Sequence, residues 1–362
     1  MRADRHSAAD HLHMTRALQL AAHGLYTTSP NPRVGCVIVK DGRIIGEGWH
    51  ERAGTPHAEI HALQAAGEAA RGATVYVTLE PCSHHGRTPP CAEALINAGV
   101  AHVVAAMSDP NPLVAGGGIS MLTLAGIQAE VGLMEAEARA LNPGFISRMT
   151  RQRPWVRLKT ASTLDGKTAL ANGASQWITG EAARTDVQRL RARACAILTG
   201  SGTVLADNPR MNVRDLDIGR QPLRVVVDST LRTPADAAIL PALIACHHAD
   251  PAARAALEQA GAEVIALPGT GGRVDLAALL VLLAQRGVNE LHVEAGAALN
   301  GALIKAGLVD EWVAYMAPMA VGDAARGLFA MPPLATLADA ARFKLADVRQ
   351  IGDDLRLTLL PA

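Results

Sequence analysis

Short apolar runs rich in β-branched residues alternate with alanine-rich helical patterns along most of the chain. In the first half, "ATVYVTLE" and "VAHVVAAM" are such runs, and helical patterns extend from His57 to about Ala70 and from about Pro90 to Ala98. Helices between strands favour a largely parallel sheet that is covered on both faces. The run "VGCVIVKDGRIIGEGWH" differs, because its Asp41-Gly42 pair predicts a hairpin with an antiparallel strand. The alternation therefore predicts an α/β fold.

The length and one interruption of the pattern indicate two domains. At 362 residues the chain is longer than a single compact core usually is. The alternation stops at "NPGFISRMTRQRPWV", where prolines flank a polar segment with three arginines, and it resumes with "WVRLKTAS" and "CAILTG". A segment of this kind is typical of a domain boundary. We therefore predict α/β domains over residues 1–147 and 148–362.

Charge and composition favour a small-molecule substrate over nucleic acid. Lys+Arg and Asp+Glu are equal at 34 each, so the chain has no overall basic field. Only ten aromatic residues (three Phe, four Trp, three Tyr) are available for stacking on bases. The start has no signal-peptide pattern and no apolar run reaches about 18 residues, so we expect a soluble cytoplasmic chain without membrane contact. Five cysteines are too few, and odd in number, for a disulfide framework.

A histidine, a glutamate and two cysteines form the first chemical pattern, in "HAEIHAL" and "EPCSHHGRTPPC". Catalytic zinc takes three protein ligands and leaves a position for water, whose pKa it lowers to about 7. His57, Cys82 and Cys91 can supply those ligands. Glu59 is expected at a helix start, where it can carry a proton from the water to a leaving amine. H-x-E followed by P-C-x-x-C is a known zinc-deaminase signature, although eight residues separate the cysteines here.

Other interpretations of these residues stay open at this point. A structural zinc site would close its shell with a fourth ligand, and His84 or His85 could provide one. Asn31 in "PNPRVG" is either a turn former or a residue that binds the substrate. Cys36, inside an apolar strand, is interpreted as a core residue.

The second half contains a pattern suited to a nucleotide. "HVEAGAALNGALI" places an acidic residue at a strand end and then glycines before a helix, whose free N–H groups and dipole suit a phosphate. An ordinary strand-to-helix turn is the alternative. "KTASTLDGKTA", "GASQWITG", "TGSGTVLADNP" and "VVVDST" could gather beside it at one sheet edge, where open α/β folds usually bind ligands.

The motifs "NPRVGCVIV", "PHAEIHAL" and "TLEPCSHHGRTPPC" resemble those of the bifunctional riboflavin-biosynthesis deaminase/reductase family, and the resemblance extends over essentially the whole chain. It implies a cytidine-deaminase-like α/β/α domain followed by a dihydrofolate-reductase-like α/β domain. It further implies zinc-dependent hydrolytic deamination of a diaminopyrimidinone that carries a phosphoribosylamino group, with Glu59 as acid and base. Reduction of the ribosyl group to ribityl with NADPH would follow, in a homo-oligomer.

The resemblance also implies the site residues of the reductase half. The implied cofactor contacts are Ala161, Trp177, Thr203, Asp207, Ser229, Gly296, Ala297, Ala298, Leu299, Asn300, Gly301 and Ala302. The implied substrate contacts are Ser175, Arg191, Met211, Arg214 and Glu294, and Asn31 is our candidate in the deaminase half. A guanidinium fork can bind a ribose phosphate bidentately, although a solvated helix face is the alternative for Arg191. The proton donor is left open among Lys159, Asp165, Lys167, Asp207 and Glu294.

Two other functions compete with this hypothesis. The first half could deaminate nucleic-acid bases, with the second half as a binding module. Alternatively, the second half could be a non-catalytic nucleotide sensor that regulates the deaminase.

Overall fold

The computed structural model describes residues 6–84, 89–112 and 114–362. The chain forms two compact units, Met1–Gln152 and Arg153–Ala362. Within the described residues, no helix is both long enough and apolar enough to span a bilayer.

The first unit is a five-stranded sheet with helices, in the order β2-β1-β3-β4-β5. Its strands are β1 (Gly35–Lys40), β2 (Arg43–Trp49), β3 (Thr74–Val77), β4 (His102–Ala105) and β5 (Gln128–Val131). Its helices are α1 (Ala8–Ala22), α2 (Ala58–Ala66), α3 (Cys91–Ala98), α4 (Gly117–Leu124), α5 (Glu135–Leu141) and α6 (Pro143–Arg151). β1 pairs antiparallel with β2 and β3, whereas β3, β4 and β5 are parallel.

The predicted hairpin is confirmed, and glycines in it bring α2 close to the sheet. Asp41 and Gly42 have φ values of 50° and 71°, the positive values that a type I′ turn requires. On β2, a Cβ at Gly46 would lie 2.3 Å from the Ala62 carbonyl oxygen, and one at Gly48 would lie 2.3 Å from that of Ala58. Because both positions are glycine, α2 can lie directly on the strand. This contact fixes the first turn of α2.

Helix α6 occupies the segment where the sequence indicates a domain boundary. Pro143 is at the first helical position, where a missing N–H breaks no hydrogen bond, so it starts the helix instead of ending one. The first unit ends at Gln152 and the second begins at Arg153, whereas the sequence placed the boundary between residues 147 and 148, inside α6.

The second unit is built on a nine-stranded sheet in the order β11-β10-β9-β8-β12-β6-β13-β16-β15, beside a separate β7-β14 ribbon. The strands are β6 (Trp155–Thr163), β7 (Lys167–Ala169), β8 (Ala196–Gly200), β9 (Leu223–Val227), β10 (Leu243–Cys246), β11 (Glu263–Ala266), β12 (Glu290–Glu294), β13 (Glu311–Ala317), β14 (Arg326–Gly327), β15 (Phe343–Ile351) and β16 (Asp354–Pro361). The helices are α7 (Glu181–Arg193), α8 (Ser201–Asp207), α9 (Pro251–Gln259), α10 (Leu276–Gln285) and α11 (Ala297–Lys305). From β11 to β13 neighbouring strands are parallel, and β16 and β15 continue the sheet antiparallel.

The central strands of this sheet bury charge on one face and apolar residues on the other. Leu158 and Leu291 belong to the apolar core. The alternate residues, on the opposite face, include Arg157, which is 0% exposed and forms ion pairs with Glu290 (3.1 Å) and Glu311 (2.9 Å). Arg193 of α7 also pairs with Glu290, at 2.7 Å. These ion pairs form a charged layer between α7 and the sheet, which explains how a helix as polar as α7 can pack there.

Some elements are not indicated by the sequence pattern. These are α8, β10 and the β7-β14 ribbon. Helix α8 has only seven residues and begins with Ser, Gly and Thr, which are weak helix formers. Strand β10 is the short apolar run Leu243–Cys246, which periodicity alone does not distinguish from part of a buried helix.

Candidate active sites

Three metal-ligand side chains meet in the first unit. His57 is the N-cap of α2, Cys91 is the first residue of α3, and Cys82 lies in the loop after β3. The His57 Nδ1 atom is 3.2 Å from Cys91 Sγ and 3.7 Å from Cys82 Sγ, and all three atoms lie within 4.8 Å of one another. These separations suit ligands at about 2.0–2.3 Å from one ion, and one imidazole with two thiolates is a zinc donor set.

Glu59 lies beside this cluster in the first turn of α2 and is 3% exposed. It lines a cavity of about 240 Å³ together with His57 and Cys82. Burial raises the pKa of the Glu59 carboxyl to about 7. A carboxyl with such a pKa can both accept and return a proton near neutrality.

The cluster has three ligands among the described residues, and no fourth His, Cys, Asp or Glu joins it there. His84 lines the cavity without belonging to the cluster, and His85 lies outside the described residues. The arrangement favours an open coordination position over a closed structural shell. Cys36 is fully buried in β1, which confirms its interpretation as a core residue.

Asn31 lines the same cavity, and His50 orients it. His50 Nδ1 lies 3.1 Å from the Pro56 carbonyl oxygen, so Nδ1 is the nitrogen that donates. Nε2 then accepts from Asn31 Nδ2, also at 3.1 Å. Burial lowers the pKa of His50, which keeps this imidazole neutral. Asn31 is thus held where a substrate in the cavity would meet it.

Glu80 organises another wall of the cavity, and sequence reasoning missed its role. Its buried carboxylate accepts backbone N–H groups from Asp109 (3.0 Å), Gly116 (3.1 Å), Gly118 (3.0 Å) and Ile119 (3.3 Å). The loop that precedes Cys82 is thereby tied to the start of α4. The position of Glu80 in "TLEPC" does not indicate this role, because its partners lie 29 to 39 residues further along the chain.

Helix α6 supplies two more cavity residues that sequence reasoning missed, Phe145 and Met149. They are one helical turn apart on α6 and therefore lie on the same face. The segment was interpreted as a domain boundary, so neither side chain was a candidate.

In the second unit, several predicted cofactor residues lie at one edge of the sheet. Ala161 is near the end of β6, Thr203 follows β8, Ser229 follows β9, and Gly296 follows β12. These four parallel strands are neighbours in the order β9-β8-β12-β6, so their carboxyl ends meet. A Cβ at Gly296 would lie 3.8 Å from Thr203 Oγ1. Gly296 is the N-cap of α11, and no side chain caps this helix start.

The remaining predicted cofactor residues have varied surroundings. Ala297 is half-buried, Ala298 and Ala302 are exposed, and Leu299, Asn300 and Gly301 are buried. A Cβ at Gly301 would meet the Ala330 carbonyl oxygen at 2.4 Å, so this glycine serves close packing. Trp177 is 68% exposed, with Arg184 Cζ 4.4 Å from its ring centre. Asp207 lines a shallow cleft with Ser175.

Three predicted substrate residues form a cluster. The Arg191 guanidinium binds the Glu294 carboxylate bidentately, at 2.5 and 3.0 Å, and Arg191 Nη2 lies 3.8 Å from Met211 Sδ. Burial disfavours ionisation of Glu294, but Arg191 holds the pKa of that carboxyl well below its usual range. Lys159 lies opposite Glu294 in the register of the neighbouring strands β6 and β12. Burial lowers the pKa of the Lys159 amine.

Other predicted residues lie outside this cluster. Arg214 is exposed, and within the described chain no hydrogen bond or ion pair joins its side chain to Arg191 or Glu294. Asp165 accepts N–H groups from Val321 (3.0 Å) and Gly322 (2.8 Å), and Lys167 is on β7. Of the open proton-donor candidates, Lys159 and Glu294 therefore belong to the cluster.

Comparison with known proteins assigns the family. Residues 154–357 match the model of the RibD C-terminal domain, and residues 7–107 match that of the cytidine and deoxycytidylate deaminase zinc-binding region. The riboflavin biosynthesis protein RibD of Escherichia coli K12 is 51% identical over 98% of this chain and 100% of its own length. The chain belongs to the RibD family. The Haemophilus influenzae RibD protein is 49% identical, with 98% of both chains covered.

Solved RibD structures agree with this assignment. Acinetobacter baumannii RibD superimposes with a TM-score of 0.91 at 47% identity, over 98% of this chain and 99% of the other. A Thermotoga maritima protein, described as a diaminohydroxyphosphoribosylaminopyrimidine deaminase/5-amino-6-(5-phosphoribosylamino)uracil reductase, has a TM-score of 0.86 at 33% identity, with 98% and 99% covered. The chain is a bifunctional deaminase and reductase of riboflavin biosynthesis, with a cytidine-deaminase-like domain before a RibD C-terminal reductase domain.

Proposed function

We propose that the first unit carries out zinc-dependent hydrolytic deamination of a diaminohydroxypyrimidine that bears a phosphoribosylamino group. The observation that carries this proposal is the meeting of His57, Cys82 and Cys91 in one cavity with a buried Glu59. Zinc, when bound, would supply an acidified water at neutral pH.

The chain's own residues have separate roles in that reaction. Glu59 accepts a proton from the attacking water while the water oxygen bonds to the ring carbon, and it donates a proton to the departing amino group, which leaves as ammonia. Asn31, oriented by His50, binds a polar edge of the pyrimidine. The buried surroundings of Glu59 limit its exchange of protons with bulk solvent.

Replacing one ligand tests the deaminase proposal. We expect Cys82→Ser to lose zinc by metal analysis and to lose deamination, while the reductase reaction on deaminated substrate continues. Cys36→Ala is the matched control, because Cys36 is a buried thiol of the same unit outside the cluster. Full zinc content together with full deamination in Cys82→Ser would contradict the assignment.

For the second unit we propose NADPH-dependent reduction of the ribosyl group to ribityl. Support comes from the uncapped N-terminus of α11 at the carboxyl edge of the sheet, since backbone N–H groups and the helix dipole suit a phosphate there. Bound NADPH would supply the hydride. Arg191, Met211 and Glu294 would position the substrate, with Ala161, Trp177, Thr203, Asp207, Ser229 and residues 296–302 around the cofactor.

Cofactor oxidation tests this second proposal. With deaminated substrate, we expect the purified chain to oxidise NADPH with a higher kcat/KM than NADH. If the chain binds NADPH but fails to oxidise it when deaminated substrate is present, that result would instead support a sensor role. The homo-oligomer stays a prediction, which light scattering on the purified protein can check.

A further inference from the structure

Helix α6, the last helix of the first unit, lines one wall of the cavity around the metal-ligand cluster. Phe145 and Met149 are half-buried and line the cavity that also holds His57 and Glu59. Neither residue belongs to a predicted site. They place an aromatic ring and a thioether next to each other on one wall.

Helix α6 is held firmly in this place. Arg33 N–H donates to Asn142 Oδ1 at 2.8 Å, and Asn142 Nδ2 donates back to the Arg33 carbonyl oxygen at 2.9 Å. Six residues further along, Arg148 Nη2 donates to the Pro30 carbonyl oxygen at 3.0 Å. The segment from Pro30 to Arg33 carries Asn31, so the polar residue and the apolar wall are fixed to each other.

We propose that Phe145 and Met149 form the surface against which the flat pyrimidine ring of the substrate packs, so that α6 determines substrate affinity in the deaminase site. This inference rests on the proposed deamination. Water adds to a ring carbon from one face, which leaves the opposite face to be covered. An aromatic ring stacks on such a face, and a thioether makes favourable contacts with aromatic rings.

The test separates binding from chemistry. We expect Phe145→Ala to raise the KM for deamination at least tenfold, with kcat within about threefold of the wild type and zinc content unchanged. Met149→Ala has a smaller effect in the same direction, and Met149→Leu restores most of the affinity because it keeps the apolar volume. Thr150→Ala, on the exposed face of the same helix, is the control and leaves KM unchanged.

Two further measurements keep the outcomes distinct. Zinc content of each variant reports whether the first unit is folded, since the three ligands come from separate elements of that unit, and Phe145→Leu replaces Phe145→Ala if the alanine variant fails to fold. Calorimetric titration of substrate into Glu59→Gln, with and without Phe145→Ala, measures affinity without turnover. An unchanged dissociation constant there, or a fall in kcat with KM unchanged, overturns the role of α6. If the wild-type chain does not deaminate the substrate but its dissociation constant for the substrate still changes in Phe145→Ala, only the proposed reaction is rejected.

Discussion

The two halves of this chain build their sites in opposite ways. In the deaminase half, His57, Glu59, Cys82 and Cys91 lie within 35 positions of one another and occupy two helix starts and one loop. In the reductase half, Arg191 and Glu294 are 103 positions apart and meet only through an ion pair between α7 and β12.

The difference shows how each kind of chemistry constrains a sequence. A metal site needs particular ligand types at particular spacings, so its pattern is visible in the chain. A nucleotide and sugar-phosphate site uses backbone N–H groups and charges from several strand ends, which many sequences can supply. Substitutions that change one reaction and leave the other unchanged therefore test whether each half carries its own site.

The largest expected effect is on the deaminase. Glu59→Gln keeps the shape of the side chain and removes its ability to accept a proton, so deamination should fall by about 10²- to 10⁴-fold. Zinc content and reductase activity should stay at wild-type values. A product assay for each reaction on the same preparation measures this, and full deamination in the variant would show that Glu59 is not the proton carrier.

The next effect concerns the stability of the reductase half. Arg157→Met leaves the buried Glu290 and the partly buried Glu311 without their shared cation, and we expect the free energy of unfolding to fall by about 3–5 kcal/mol. Arg286→Met is the control, since its pair with Glu263 is largely exposed and should contribute less than about 1 kcal/mol. Urea unfolding measures both variants. Equal losses would mean that the charged layer under α7 is not a buried network.

A smaller effect is expected at the reductase cluster. Glu294→Gln removes the carboxylate that Arg191 binds bidentately, and we expect reductase kcat/KM to fall by about 10- to 100-fold with deamination unaffected. Glu258→Gln, in an exposed pair with Arg254, is the control. Steady-state kinetics of both half-reactions measures the change. A variant that retained full reductase activity would remove Glu294 from the site.

The smallest effect is a pH dependence of stability in the deaminase half. Although burial opposes it, hydrogen bonds from Tyr76 and Ser7 lower the pKa of Asp10 to about 2, from 3.8 in the unfolded chain. Stability from Asp10 is therefore present above pH 3.8 and is lost as the pH falls through 2. We expect Tyr76→Phe to cost about 1 kcal/mol at pH 7, less toward pH 2. Urea unfolding across this range checks it, and a cost independent of pH would exclude the Asp10 bond as its origin.

Much of the fold follows from local pattern. The hairpin at Asp41-Gly42 and the helix that follows His57 are confirmed, since each depends on neighbouring residues. Helix α6 was misinterpreted because Pro143 ends one helical pattern and starts another with equal ease. Its length and position depend on its contacts with Arg33 and Pro30, which lie more than a hundred positions away.

The sequence by itself determined the chemistry of the metal site, because one imidazole, two thiolates and a carboxylate at these spacings have few other uses. Only the tertiary structure decided what surrounds that site and how the second site is composed. Glu80 and the Arg191–Glu294 pair make their contacts with residues distant in the chain, and Phe145 lines a cavity with residues that lie more than fifty positions before it. Contacts of that kind depend on how the elements pack, and no local pattern of residues encodes them.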